Sequence, residues 1–569
     1  MRTTTPSLQD PDRRNVLRWA AGLCAGYAVT QISACSASGT PDTLPEPTNL
    51  KASSGLLELT LTASYAPRDL MATTDPQAAW PGQASRIQTS LRSYNGASPA
   101  PTLHLNQGDT LRVKLVNDLP TNIAGQSSLG YLNYQNSTNL HFHGLHVDPK
   151  EIRPGVFGDY VVDTAEAGVR PGSSRQHEIT LPLDHTNGIY WYHPHLHGAT
   201  NIQVNNGMFG AIIVHDAKDR FAQSPDIRER VIFVHKMNLN AKGRSDTFYD
   251  AMVYTPTAFM LNGAYQPTIV MRPGEVQNWH FINSDSFYPF NPVLDEHTLW
   301  HYARDGNVFA KKFRSINLET STQYQGTQWP GNLMYPGNRH SVIVQASSTP
   351  GTYFLRSMKA PSSDRDSEEI VARIVVEGEP MSTALPRAQD LPVYAEHRPI
   401  TNEELASGGG QTRNLVLAVL RKGHPRLASP IPAGEEWFIP PEDGKNDNAD
   451  FAFTAGIAGQ GLAPVQSSLS VTQTVALGAV EEWTIQSMNF YPHPFHIHVN
   501  DAWVVKVNGE AVEPYWTDTI PILWGGSSDK PTSITFRMRF TDFTGKFVWH
   551  CHALDHEDMG MMELVEVVA

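Results

Sequence analysis

The strongest constraint on the fold of this chain is a pair of strand signatures that occurs three times in the same order. Each copy opens with a glycine followed by alternating apolar residues, at 108–115, 274–281 and 478–485. Each copy closes on a second glycine-led segment, at 188–193, 351–356 and 545–550. A tight turn feeding a half-buried strand explains either signature alone, but their ordered recurrence indicates triplication of one β domain.

The repeats divide the chain into three predicted domains, at residues 55–218, 225–380 and 400–569. Residues 36–54 are rich in Ser, Thr, Pro and Gly and predict a tether, while residues 385–410 predict the second linker. Glycine and proline are frequent, at 42 and 41 residues, and no long stretch has the 3.6-residue apolar period. We therefore expect β sandwiches or barrels and not helical bundles.

The charge distribution excludes one class of partner. The formal net charge is −14, from 57 acidic against 43 basic side chains, and no basic run occurs beyond the N-terminus. Nucleic acid and anionic membranes are therefore not expected as main partners. A small substrate or a metal ion fits this composition better.

The N-terminus resembles a targeting segment. Arg13 and Arg14 precede a short, uncharged and weakly apolar stretch at 19–32, which is similar to a twin-arginine export signal. We expect residues 1–35 to direct export, with the protein periplasmic or attached to the cell envelope. Residues 32–35 also resemble a lipobox, in which Cys35 would carry a lipid anchor, and lipidation and ordinary cleavage are both open alternatives.

Cysteine usage isolates one thiol. Cys24 and Cys35 lie within the N-terminal signal, so Cys551 is the only cysteine of the folded body. No disulfide can form within a domain. A single thiol in an oxidising compartment is either buried and inert or a metal ligand, and its neighbours decide between the two.

Histidine pairs supply those neighbours. Random placement of 23 histidines in 569 residues would give about one His-x-His pair. The chain has five, at 141/143, 193/195, 195/197, 496/498 and 550/552. Residues two apart in a strand point to the same side, so each pair can present two imidazoles to one metal, and imidazole suits copper, zinc or iron.

The repeats differ in which of them carry these pairs. His141 and His143 align with His496 and His498, where the middle domain has residues 293–295. In the same way 193–195 aligns with 550–552, where the middle domain has residues 356–358. Eight histidines from the first and third domains can converge if those domains pack face to face. We expect a metal cluster in that interface.

The third domain predicts one further metal site. Cys551 with His493 and His556 supplies one thiolate and two imidazoles, the trigonal set of a blue-copper electron-transfer site, and Met561 is placed to be the long axial ligand. The first domain has Thr138 and Pro194 in place of His493 and Cys551, so one blue copper per chain follows. His550 and His552 flank Cys551, which gives an electron a short covalent path to the interface cluster.

These segments carry a family resemblance. Residues 140–144, 191–195, 493–498 and 550–561 resemble the four copper segments of the multicopper oxidases, which include laccases, ascorbate oxidase and bacterial copper-efflux oxidases. The resemblance extends from about residue 55 to the C-terminus. It implies an all-β fold of three consecutive cupredoxin-like Greek-key β sandwiches, with four copper ions per chain.

The resemblance also implies a role for each ligand. The type 1 copper would be bound by His493, Cys551, His556 and Met561, and the type 2 copper by His141 and His496. The type 3 pair would be bound by His143, His193, His195, His498, His550 and His552. The neighbouring His146 and His197 have no such role and are expected to be structural or surface residues. Val499 stands where relatives commonly have glycine, a departure that concerns only a turn.

The implied activity is one-electron oxidation of a reducing substrate coupled to four-electron reduction of dioxygen to water. Glu557 matches an acid linked in relatives to proton delivery, and Asp159 could serve the side where oxygen enters, with Asp148 as its competitor. The expected partners are dioxygen and a small reducing substrate or metal ion, and the protein is expected to be a monomer.

The donor is expected to be a phenol or an aromatic amine, as for a laccase. Specialised cuprous oxidases tend to carry a Met-rich insert, and this chain has no methionine between Met381 and Met488. A cuprous oxidase or other metallo-oxidase in copper tolerance is the alternative activity, and a copper-binding protein without turnover is the alternative outside catalysis.

Overall fold

The computed structural model describes residues 43–72, 85–122, 134–163, 168–216, 224, 226–240, 242–245, 256–309, 314–315, 322–324, 327–329, 333–360, 368–394, 397–421, 451–457, 471–487, 492–522 and 532–569. The predicted export signal, with Cys24 and Cys35, lies outside the described residues.

The first unit consists of two sheets built from eleven strands. The strands are β1 (Asn49–Lys51), β2 (Leu56–Ala72), β3 (Ser85–Tyr94), β4 (Thr102–Asn106), β5 (Thr110–Asn117), β6 (His141–His143), β7 (Glu151–Arg153), β8 (Val156–Phe157), β9 (Ser174–Thr180), β10 (Gly188–His193) and β11 (Gly210–His215). One sheet has the order β1-β4-β11-β10-β6 and the other β3-β2-β5-β9-β8-β7.

The middle unit also has two principal sheets. Its strands are β12 (Arg228–His235), β13 (Met260–Leu261), β14 (Ala264–Tyr265), β15 (Thr268–Met271), β16 (Val276–Asn283), β17 (Pro292–Leu294), β18 (Leu299–Arg304), β19 (Asn307–Val308), β20 (Arg314–Ser315), β21 (Thr322–Tyr324), β22 (Thr327–Trp329), β23 (Arg339–Gln345), β24 (Gly351–Ser357) and β25 (Glu369–Val376). One sheet has the order β14-β13-β12-β16-β23-β18-β19, with β20 on β18, and the other β15-β25-β24-β17. Strands β21 and β22 form a separate hairpin.

The last unit repeats the arrangement. Its strands are β26 (Gly409–Arg421), β27 (Phe451–Ile457), β28 (Val471–Ala476), β29 (Ala479–Ser487), β30 (His493–Ile497), β31 (Ala502–Val507), β32 (Glu510–Thr517), β33 (Thr519–Ile522), β34 (Thr532–Phe540), β35 (Gly545–Cys551) and β36 (Met562–Val568). The sheets have the orders β27-β26-β29-β34-β31-β32 and β28-β36-β35-β30-β33.

Helices are short and few among the described residues. They are α1 (Thr200–Asn205), α2 (Asn402–Ser407), α3 (Leu554–Asp558) and one 3-10 turn (Ala388–Asp390). The all-β prediction is confirmed. None of the helices in the described ranges has the length and apolar character needed to cross a membrane.

Strand pairing repeats in all three units. The opening strands β5, β16 and β29 each pair in parallel with an earlier strand and antiparallel with a later one. The closing strands β10, β24 and β35 each lie between a short earlier strand and the strand that follows them. The two signatures therefore occupy opposite sheets of each unit, as one duplicated sandwich requires.

The register of the closing strands shows what the middle unit lacks. His141 pairs with His193 in the first unit, and His496 pairs with His550 in the last. The corresponding pair in the middle unit is Val293 and Arg356. The repeats aligned from sequence are thus in matching positions on the sheets.

Each unit has its own buried core, and a further apolar cluster joins the three. That cluster contains Trp191 of the first unit, Phe233 and Ile282 of the middle unit and Leu554 of the last. Burial of apolar surface between units stabilises their packing, because this surface would otherwise face water. The three units are therefore held against one another around β10.

The segment predicted as a tether is structured in part. Asn49–Lys51 forms β1 and pairs in parallel with β4, and Thr43 bridges to Thr268 of the middle unit. The tether interpretation of residues 36–54 is therefore wrong for residues 49–51, because their backbone is hydrogen-bonded into the first sheet. No apolar alternation marks this edge strand in the sequence.

Candidate metal centre

Strand β35 supplies side chains to two separate groups of metal-ligand residues. Successive side chains of a strand point to opposite faces. Cys551 joins one group with His493 and His556, whereas His550 and the residue directly after the strand, His552, join groups on the other side. Every member of these groups is buried.

The group around Cys551, which we call the mononuclear group, is compact. Sγ of Cys551 lies 3.4 Å from Nδ1 of His493 and 3.6 Å from Nδ1 of His556, and the two nitrogens are 3.3 Å apart. A point equidistant from the corners of such a triangle is about 2 Å from each, near the length of a metal–nitrogen bond. The set can hold a trigonal metal ion, and its chemistry is that of a blue-copper site.

Met561 lies in the same buried core as Cys551. The backbone N–H of Cys551 donates to the carbonyl of Met561 at 3.0 Å, and the N–H of Met561 donates to that of His556 at 3.0 Å. The loop after β35 therefore folds back and returns Met561 to the mononuclear group. Its axial role stays a prediction.

The remaining eight histidines form the interface cluster, between the first and last units. One set contains His143, His193 and His552, and a second contains His195, His498 and His550. His141 and His496 join His143 in a third set. The rings of His143 and His496 stack at 3.8 Å, as do those of His141 and His498.

Unsatisfied nitrogens test whether a metal fits the interface cluster. Nδ1 of His141 lies 2.9 Å from a carboxylate oxygen of Asp159, and Nδ1 of His496 lies 2.9 Å from the carbonyl of Asp518. The Nε2 atoms of both histidines are buried and have no hydrogen-bond partner. A histidine that donates one N–H to an oxygen and leaves its other ring nitrogen buried without a hydrogen-bond partner is arranged as a metal ligand.

The set of His195, His498 and His550 also has its ring nitrogens arranged for a metal ion. Nδ1 of His550 lies 3.1 Å from the carbonyl of Cys551, so donation there leaves a lone pair on Nε2. That Nε2 lies 3.0 Å from Nε2 of His195 and 3.3 Å from Nε2 of His498. Three ring nitrogens that converge at this distance match the donor set of a bound cation.

The protonation state of the interface histidines favours metal binding. Burial, reinforced by repulsion between neighbouring imidazoles, lowers the pKa of His141, His496 and His498 well below the usual value. Burial likewise lowers the pKa of His193 to about 3 and of His195 to about 4. The rings are therefore neutral near pH 7, the state in which imidazole binds a metal.

Glu557 lies between two histidines of the interface cluster. One carboxylate oxygen is 3.2 Å from Nδ1 of His550, and the other is 3.5 Å from Nδ1 of His195. Burial alone would raise the pKa of Glu557, but the adjacent imidazoles outweigh it and lower the pKa to about 2. The carboxylate is fully buried and ionised near pH 7, so it can accept a proton and pass it on between these two rings.

Asp159 is the acid on the opposite side of the cluster. Its carboxylate accepts the backbone N–H of Phe142 at 2.9 Å and contacts His141, and it lies 3.7 Å from Nδ1 of His498. Burial raises its pKa to about 7. The competitor Asp148 is part-exposed, and its side chain accepts from Lys150. The geometry therefore favours Asp159 of the two.

Asp558, next to Glu557, joins two units. Its carboxylate accepts the backbone N–H groups of Gly198 and Asn201 at 2.8 Å and of Thr200 at 3.2 Å. These donors begin α1, whose own N-cap residue Ala199 offers no side-chain acceptor. A side chain of the last unit thus caps a helix of the first, just beyond the ligand segment 193–195.

His146 and His197 join none of the metal-ligand groups found among the described residues. His146 contacts the carbonyl of Val499 at 2.7 Å and the carboxylate of Asp542 at 2.8 Å, which is a structural role between units.

Val499, the residue after His498, has a φ of +70°. The position after His498 thus has the left-handed backbone that glycine adopts freely and a β-branched residue adopts at a cost.

Sequence reasoning did not find the residues that support His143 and His496. Asp518 and Thr519 lie beside both rings, and Arg339 of the middle unit pairs with Asp518. Gly337 has φ of +92°, and a Cβ there would lie 3.0 Å from the His552 ring. No spacing or motif links these positions, because the contacts join units far apart in sequence.

Comparisons with known proteins agree with this architecture. Family models described as multicopper oxidase match residues 131–219 and 442–569. The multicopper oxidase mco of Staphylococcus haemolyticus is 25% identical over 491 residues, covering 83% of each chain. A laccase of Bacillus subtilis is 22% identical, covering 84% of this chain and 90% of its own. The structure of a Campylobacter jejuni multicopper oxidase, titled a metallo-oxidase, aligns with a TM-score of 0.63 at 19% identity, covering 93% and 97%.

The three two-sheet units are cupredoxin-like domains, and their strand repetition is that of one sandwich used three times. The family-model matches and the sequence relatives both support the multicopper oxidase family for this chain. It is a copper-dependent oxidoreductase that uses dioxygen as the electron acceptor.

Proposed function

We propose that this oxidase takes electrons singly from small aromatic reductants, phenols or aromatic amines, and reduces dioxygen to water with four copper ions. The observation that carries the proposal is the alternation along 550–552. One residue there enters the mononuclear group, and its two neighbours enter the interface cluster. The two groups are thus joined by the shortest covalent path that a chain offers.

We assign the mononuclear group of His493, Cys551 and His556, with Met561 as axial ligand, to the type 1 copper. His141 and His496 are assigned to the type 2 copper, since their unsatisfied Nε2 atoms belong to the same set. The type 3 pair is assigned to His143, His193, His195, His498, His550 and His552. Two three-histidine sets support this division.

Copper, when bound, supplies one-electron redox chemistry at the mononuclear group and four-electron chemistry toward dioxygen at the interface cluster. The chain orients the ligands and manages protons. Glu557 faces the rings of His195 and His550, and Asp159 faces those of His141 and His498. We propose that Glu557 delivers protons to the cluster and that Asp159 acts on the side where oxygen enters.

The donor is proposed to reach the mononuclear group at His556. His556 keeps an exposed fraction of 4%, whereas His493 has none. Phe287 of the middle domain packs near the His556 ring, with the ring centres 6.0 Å apart. An apolar edge beside an imidazole suits an aromatic reductant that passes its electron without binding to the metal.

The absence of methionine between Met381 and Met488 argues against a dedicated cuprous oxidase, because soft thioethers are the ligands that select Cu(I). The names of the relatives include both activities, a laccase in Bacillus subtilis and a metallo-oxidase in Campylobacter jejuni. The proposed thioether axial ligand should also hold the type 1 potential low, which favours easily oxidised donors.

We expect a methoxyphenol to have a higher specificity constant than Cu(I) or Fe(II) when all three are compared in one buffer by oxygen consumption. A blank reaction in which free copper is chelated allows the contribution of that copper to be subtracted. Should Cu(I) exceed the phenol by more than about tenfold, roughly 1.4 kcal/mol of transition-state preference, copper detoxification replaces the laccase-like activity.

We further propose export by the twin-arginine route, with the enzyme acting as a monomer in the periplasm or on the cell envelope. The support is the sequence around Arg13 and Arg14, and lipidation of Cys35 is a separate question. Replacement of both arginines by lysine should shift the enzyme into the cytoplasmic fraction, whereas Arg68→Lys should not. Unchanged periplasmic recovery of the double variant would contradict the proposed route.

A further inference from the structure

We infer that Arg339, from the domain without copper ligands, is a positioning residue that holds Asp518 against two ligand histidines of the interface cluster. The inference rests on the proposed assignment of His143 and His496 to the type 3 and type 2 coppers. It gives the middle domain a part in the copper chemistry through contacts that only tertiary structure reveals.

The contact between Arg339 and Asp518 is a two-pronged ion pair. Nη1 of Arg339 donates to Oδ1 of Asp518 at 2.7 Å, and Nη2 donates to Oδ2 at 2.6 Å. Arg339 is fully buried, and Asp518 is 2% exposed. A planar guanidinium fixes both the position and the rotation of the carboxylate that it grips, which a lysine cannot do.

Asp518 touches histidines from two different domains. Its Oδ1 lies 3.4 Å from Nε2 of His143 and 3.6 Å from Nδ1 of His496. Its backbone carbonyl lies 2.9 Å from that same Nδ1 of His496. In a metal-binding histidine, one ring nitrogen binds the metal and the other faces away from it. An oxygen atom beside this second nitrogen sets the tautomer and the orientation of the ring.

Arg339 is also held by contacts with the first domain and with its own domain. Its Nε donates to the carbonyl of Ile189 in the first domain at 3.3 Å, and its backbone N–H donates to Asp305 of its own domain at 2.8 Å. The next residue back, Asn338, donates to the carbonyl of Thr519 at 2.9 Å. One short segment of the middle domain therefore contacts both copper-binding domains at the cluster.

Gly144, directly after His143, makes room for this ion pair. A Cβ at Gly144 would lie 2.2 Å from Nη2 of Arg339 and 2.6 Å from Oδ2 of Asp518. The φ of Gly144 is +84°, which also favours glycine. The turn after the first His-x-His pair is thus shaped around a side chain from another domain.

The test compares Arg339→Gln and Arg339→Lys with Arg413→Gln in the copper-loaded, full-length enzyme. Arg413 is a matched control, because it also grips a carboxylate with two nitrogens, at 2.6 Å and 2.9 Å, and lies 5.7 Å from an aromatic ring. The readouts are the electron paramagnetic resonance signals of type 1 and type 2 copper, and copper retention against a competing chelator.

We expect Arg339→Gln to keep the blue type 1 signal, to change the type 2 signal and to weaken type 2 copper retention by about ten- to a hundredfold. Arg339→Lys should have an intermediate effect on the type 2 signal and on copper retention, because lysine keeps the positive charge but cannot donate two parallel hydrogen bonds. Arg413→Gln should match the unchanged enzyme in both measurements. If Arg339→Gln does not fold, the same two measurements on Arg339→Lys test the inference. A type 2 signal and retention identical to the unchanged enzyme in the folded variant would overturn the inference.

The outcome for the unchanged enzyme separates the two proposals. If the unchanged enzyme has no type 2 signal, the proposed copper assignment fails. If it has one that Arg339 variants leave unaltered, the assignment stands and only the positioning role of Arg339 is wrong.

Discussion

Cys551→Ser is expected to yield a protein that is colourless, has lost essentially all oxidase turnover and still binds copper at the interface cluster. Cys551 is the only cysteine of the folded body, and its Sγ is one of three ligand atoms in the mononuclear group. Charge transfer from a thiolate to copper gives the blue colour, so serine removes it. The interface cluster contains no thiol, and its copper should remain.

The measurements are visible spectroscopy and copper content per chain, with Cys35→Ser as the control. The control should remain blue, because Cys35 lies in the predicted N-terminal signal and in none of the metal-ligand groups found among the described residues. The variant should lose one copper per chain, which distinguishes loss of the type 1 copper from general unfolding. A blue Cys551→Ser protein would remove the basis of the type 1 assignment.

His143→Ala and His195→Ala are expected to produce the opposite phenotype. The blue colour should form normally and bleach when a donor is added, but it should not return in air. The two histidines belong to the interface sets, which share no residue with the mononuclear group. Loss of an interface ligand should therefore stop electrons from reaching dioxygen while leaving the first acceptor intact.

Rapid mixing of the reduced variants with oxygenated buffer measures the return of colour. His146→Ala is the matched control, because this nearby histidine contacts Val499 and Asp542 and joins no metal-ligand group of the described residues. Its reoxidation should resemble that of the unchanged enzyme. Normal reoxidation of both His143→Ala and His195→Ala would mean that these residues serve only the structure.

The sequence predicted the ligand segments because each is short and local. Alternation places His550 and His552 on one face of a strand and Cys551 on the other, and no tertiary information is needed for that step. The triplicated signatures likewise predicted which strands open and close each domain. The family resemblance added the grouping of histidines into three kinds of copper site.

What the sequence did not predict depends on contacts between distant segments. Arg339 and Asp518 are 179 positions apart, and each alone reads as an ordinary surface charge. Gly144 and Gly337 read as turn glycines until the neighbouring arginine and histidine rings are in place. The edge strand Asn49–Lys51 has no apolar alternation, so its composition predicted a tether.

Strand β35 also limits how this enzyme can change in length. Because its pleat has a period of two, inserting or deleting one residue before His550 would turn Cys551 toward the interface cluster and the two histidines toward the mononuclear group. Both groups would then be lost in one step. Insertions and deletions that keep both groups intact are therefore confined to the loops outside this strand. A new donor preference has to come from those loops, while the spacing of His550, Cys551 and His552 stays fixed.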